Sequence, residues 1–95
     1  MIRSAQSKFQ LGQLLATPGA IEALETAGQD ALTFVRRHSS GDWGDLSCDD
    51  KQANEDALRH GGRIFSAYHT RLNAKLWVIT EQDRSATTVL LPDEY

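Results

Sequence analysis

Apolar residues fall at helical spacing in the first part of the chain and cluster or alternate in short runs after residue 63. Ile21 and Leu24 share a face with Ala20 and Ala27 close by, while Glu22 and Glu25 point outward, so 18–27 is predicted as a helix. Thr17-Pro18 supplies a cap and a proline at the first helical position, and Gly28 fits the left-handed position after the helix. Leu32, Phe34 and Val35 define a second helix over 31–38, capped by Asp30. Ser47-Cys48-Asp49-Asp50 is a variant capping box. It opens a helix over 48–60 whose apolar stripe is narrow, Leu58 with Ala53 and Ala57, and Gly61-Gly62 ends it.

The later runs read as strands over 64–69, 76–80 and 87–91, rich in β-branched and aromatic residues. The turns Arg71-Leu72-Asn73-Ala74 and Gln82-Asp83-Arg84-Ser85 are short enough for hairpins. In 76–80, Leu76 and Val78 face one way and Trp77 and Ile79 the other, which marks a central strand with helices over one side. Phe9, Leu11 and Leu15 alternate and predict a strand over 9–16, although Leu14 breaks the alternation and a helical turn competes. Pro92 stops the last strand, leaving a short tail. The expectation is an α+β fold: an N-terminal strand, three short helices, then a three-stranded antiparallel meander with the helices packed on one face. The first strand should lie at an edge or beside the last. Residues 1–8 are expected to form a flexible N-terminus and 9–95 a single α+β domain.

Composition changes this picture mainly through charge. The chain has 95 residues and a net charge of -3. Residues 42–60 hold six acids against two bases, a net of -4, whereas 1–41 is +1 and 61–95 is neutral. Localised acidity argues against direct nucleic-acid binding, which needs a basic face, and suits the basic surface of a protein partner. No apolar run approaches the roughly 20 residues that span a bilayer, and the first eight residues lack the apolar core of a secretory signal. A cytoplasmic protein without membrane association is expected. Cys48, the single cysteine, precludes an intramolecular disulfide and is expected to be free and partly buried.

Candidate chemistry is sparse. His38, Cys48, His60 and His69 show no metal-ligand spacing, no catalytic constellation stands out, and no cofactor motif is present. Asp49 and Asp50 flank Cys48 and oppose thiolate formation. Gly61-Gly62 precedes a strand rather than opening a helix, so it is a stop signal and not a phosphate cradle. The partner-binding candidates are Asp42, Trp43, Asp45, Asp49, Asp50, Glu55 and Asp56. Within them, Asp42 and Asp45 are expected to accept turn amides, and Trp43 is either a core side chain under a glycine turn or the apolar anchor of an interface. The core role is the favoured one. Glu81, Asp83 and Arg84 form a second-rank site in a hairpin loop, where Arg84 would hold an anion. Arg36, Arg37 and His38 suit the negative end of a helix dipole; as a DNA footprint they are thin.

Several stretches together resemble a known family. They are Leu11-Gly12-Gln13, Ala16-Thr17-Pro18-Gly19-Ala20, Gly41-Asp42-Trp43-Gly44, Asp50-Lys51 with Asn54, Gly62-Arg63-Ile64 and Ser66-Ala67-Tyr68. Trp77-Val78-Ile79-Thr80-Glu81, Asp83-Arg84-Ser85, Thr87-Thr88 and Leu91-Pro92-Asp93-Glu94-Tyr95 complete the set. The chain resembles small bacterial proteins carried on plasmids, phages and integrated elements, called plasmid-related and sometimes labelled type I restriction subunit. The likeness runs from about residue 9 to the end. It implies a mobile-element setting and supplies no catalytic residues. The expected function is a non-enzymatic interaction protein that inhibits or modulates a nucleic-acid-handling defence system, of anti-restriction or anti-CRISPR type, through an acidic surface. The alternatives are a small ligand-binding domain or enzyme using the Glu81/Asp83/Arg84 hairpin, and a plasmid-maintenance regulator.

Overall fold

The computed structural model describes residues 7–95. The elements in chain order are β1 (Gln13–Ala16), α1 (Pro18–Ala27), α2 (Ala31–Ser39), α3 (Cys48–His60), β2 (Ile64–His69), β3 (Lys75–Thr80) and β4 (Ala86–Leu90). A 3-10 turn, Pro92–Glu94, stands where a plain tail was expected. The helix caps are the predicted ones. Thr17 accepts from the Ala20 amide, Asp30 from Leu32, and Ser47 from Asp50, while Gly28 takes the left-handed conformation after α1.

The fold is α+β, with one four-stranded mixed sheet in the order β1-β4-β3-β2. β2, β3 and β4 pair antiparallel, but they do not form a sheet by themselves, because β1 adds parallel to β4. The first strand is thus both at an edge and beside the last. It is also shorter than the 9–16 expected. Gly12 turns with φ +64°, and a Cβ there would lie 2.4 Å from the Ser85 backbone. Phe9 therefore leaves the strand direction and packs beside Trp43 and His38 instead.

Helices α1 and α2 cover one face of the sheet. Ala20, Leu24, Phe34 and Val35 meet Tyr68, Leu76, Val78 and Val89 in the main core. Helix α3 does not join this layer in the manner expected; it lies against the outer edge of β2. Asn54 of α3 is buried and clamps that edge: its Nδ2 donates to the Phe65 carbonyl at 2.6 Å, and its Oδ1 accepts from the Phe65 amide at 3.0 Å. The segment 41–46 seals the next outward pair, since the Ala67 amide donates to the Trp43 carbonyl and the Asp45 amide donates to the Ala67 carbonyl. This approach requires Gly44, where an added Cβ would stand 2.0 Å from the Ala67 oxygen and φ is +73°. A smaller core of Trp43, Ala57 and Ile64 fills the space between segment and helix.

The opposite edge, β1, ends the sheet with all four residues exposed. The opposite face carries Phe65, Ile79, Thr88 and Leu15 in one cross-strand row and Ala67, Trp77 and Leu90 in the next. No helix among the described residues is long and apolar enough to cross a membrane.

Candidate functional site

The acidic segment splits into two groups. Three of its carboxylates are engaged within the molecule. Asp42 accepts from Arg37 Nε at 2.7 Å and from the Gly44 amide, and the Arg37 hydrogen bond, foremost, holds its carboxyl below the usual range. Asp45 accepts from His69 Nδ1 at 2.8 Å rather than from a turn amide. Glu55 accepts from the Trp43 indole N–H at 2.9 Å. The other three, Asp49, Asp50 and Asp56, are exposed on α3, and Asp42 and Asp45 also remain exposed despite their partners. Asp56 takes one hydrogen bond from Gln52. Cys48 is exposed beside them, not partly buried.

Trp43 is only 5% exposed, so it is a core side chain and cannot serve as a surface anchor. Its ring lies near-parallel to Phe9 and nearly perpendicular to His38. The glycine-rich turn around it exists to bring backbone to the edge of β2.

His38 departs most from expectation. It is fully buried and belongs to no basic surface patch, which removes it from any DNA footprint with Arg36 and Arg37. It sits in a chain of hydrogen bonds whose proton order the geometry dictates. Thr87 Oγ1 donates to the Leu11 carbonyl at 2.7 Å. Its remaining role toward Thr80 Oγ1, 2.7 Å away, is acceptor. Thr80 must then accept from His38 Nε2–H at 2.9 Å, and His38 Nδ1 accepts from the Ser66 hydroxyl at 2.5 Å. The imidazole is neutral, and burial lowers its pKa to about 4. Residues Ser66, Thr80 and Thr87 are fully buried as well, so the network polarises and locks the core rather than meeting a substrate.

The hairpin site is rearranged. Arg84 does not project to a ligand. Its Nη1 lies 2.6 Å from the Gly62 carbonyl and 3.1 Å from those of Glu81 and Gln82, and its Nη2 reaches the Ala57 carbonyl at 3.4 Å. The guanidinium closes the C-terminal end of α3, as cations near a helix C-terminus do. Glu81, Gln82, Asp83 and Ser85 line an open depression of about 600 Å³ with two carboxylates and no cation, the wrong sign for an anion. Hydrogen bonds from the Ser85 hydroxyl and amide hold the Asp83 carboxyl below its ordinary range.

A cleft that the candidate residues did not include lies on the sheet face away from α1 and α2. Arg63, Phe65, Trp77, Ile79 and Tyr95 line about 230 Å³. The Phe65 ring stands 5.1 Å from Trp77 at 90°, and the Tyr95 ring 5.9 Å away at 70°. The Arg63 guanidinium lies 5.4 Å above the Tyr95 ring and donates to its hydroxyl. The signal was present in the sequence as a strand apolar on both faces, in a chain whose helices cover only one.

No protein-family model, curated protein or solved structure matches the chain. Among the described residues, no three His, Cys, Asp or Glu side chains gather where they could hold a metal ion.

Proposed function

We propose that this protein is a non-enzymatic interaction module that meets a basic protein partner through Asp49, Asp50 and Asp56 on α3. The observation that carries this reading is that these three carboxylates are exposed on a helix fixed to the sheet edge by Asn54. A rigid element presents charge at little entropic cost. Asp42, Asp45 and Glu55 are each tied to a partner within the molecule, so their charge is partly answered internally. The surface is narrower than the seven residues expected. Trp43 supports it from below. The resemblance to proteins of plasmids and phages suggests the concrete form: an inhibitor that occupies basic residues with which a restriction or CRISPR effector holds nucleic acid.

The test is co-purification with restriction and CRISPR effector complexes at two salt concentrations. The expected result is a salt-sensitive complex that the triple reversal Asp49→Lys, Asp50→Lys, Asp56→Lys disrupts while the far-UV spectrum is unchanged. A complex indifferent to the reversal, or no complex, overturns the reading.

A further inference from the structure

We infer that the cleft formed by Arg63, Phe65, Trp77, Ile79 and Tyr95 binds a planar aromatic ring carrying an adjoining anion, and that a nucleobase with its phosphate is the class it fits. Three observations converge. Phe65 and Tyr95 both stand nearly perpendicular to the Trp77 indole, so neither stacks on it, and a third ring can lie parallel. The cleft's 230 Å³ falls below the roughly 300–1,000 Å³ of sites that enclose drug-sized ligands, so it takes one ring system and leaves the rest in solvent.

Charge decides the kind of ring. Aromatic cages of this shape commonly hold a cation. Here Arg63 already occupies that position over Tyr95, so a cationic ligand is repelled and an anion is drawn to the rim. Lys75 shares the face, two positions before Trp77. The acidic residues of α3 lie beyond the β2 edge, on the helix that seals it. Bases stack on aromatic side chains of open sheets through the same chemistry. It is independent of the acidic helix and needs no extended basic track, in keeping with the net charge of -3.

Tryptophan fluorescence of the full chain tests this directly. Trp43 is buried, so contact quenching reports Trp77. The titrants are adenosine 5′-monophosphate, adenosine, inorganic phosphate and a short oligodeoxyadenylate. Saturable quenching by the monophosphate is expected, with adenosine weaker by roughly tenfold, the size of one charge-assisted hydrogen bond. Phosphate alone should give none. Arg63→Glu, at an exposed position, should erase the preference for the monophosphate without unfolding the chain. Quenching by the monophosphate supports a free nucleotide as the source, and quenching by the oligonucleotide alone supports a strand. Quenching by neither overturns the inference, as does equal affinity for adenosine and its monophosphate or binding untouched by Arg63→Glu.

Discussion

The two tryptophans teach opposite lessons. Trp43, set among glycines and aspartates, has the local composition of a surface turn, yet it is buried and tied to Glu55. Trp77, in the most apolar strand, has the composition of a core, yet it is only partly buried, on the face away from α1 and α2, where Tyr95 packs against it. Burial here follows the count of layers, not the polarity of immediate neighbours. Two helices supply one layer; the third is used on an edge. The other face carries no described α-helix; Phe65, Trp77 and Thr88 stay partly exposed on it, while Ala67, Ile79 and Leu90 are buried.

The sharpest way to break this contrast is to truncate the buried ring. Trp43→Ala should cost about 3–5 kcal/mol, the range for a buried tryptophan, measured by denaturant unfolding. A loss under about 1 kcal/mol would mean that the small core does not hold the edge.

Next in size is acid sensitivity. The unfolded His38 titrates near 6.5 and the folded one near 4, so the unfolded state binds the extra proton. The stabilisation is complete above pH 6.5 and fades as pH falls toward 4, by about 3 kcal/mol in all. Parent and His38→Gln should therefore converge in stability over that interval. Parallel pH profiles for the two would refute the neutral, locked imidazole.

Asn54→Ala should cost about 1–3 kcal/mol, because it leaves the backbone of Phe65 without its edge partner. Hydrogen exchange should show the Phe65 amide accelerated beyond the change in global stability. Uniform acceleration would show that α3 is not a local clamp. The smallest effect belongs to the open face: Tyr95→Ala should cost about 0.5–1.5 kcal/mol, the worth of one aromatic pair. A larger thermal-shift effect would make Tyr95 part of the core.

Local signals carried the helices. Thr17, Asp30 and Ser47 each cap the helix that follows, because a cap is decided within three residues. The role of His38 was out of reach by the same logic: its partners Ser66 and Thr80 lie 28 and 42 residues away. A fainter sign existed, since Ser66, Thr80 and Thr87 place hydroxyls at inward strand positions that call for a buried polar partner. Phe9 misled because its alternation with Leu11 matches a strand, while the turn at Gly12 redirects it. The acidic cluster was visible as charge, but sequence does not tell a carboxylate bound to an indole from one facing water. The engagement of Arg84 is hidden for a similar reason, its carbonyl partners being supplied by the end of α3 and by the hairpin.

The asymmetry between the two edges of the sheet also governs how copies of this molecule would associate. One margin is occupied by Asn54 and the 41–46 segment, and the other, Gln13–Ala16, is uncharged and exposed. A sheet with two open margins can propagate without limit. Among the described residues this one is monofunctional in the polymer chemist's sense: strand addition has β1 alone to use, and pairing through a single margin closes at two molecules.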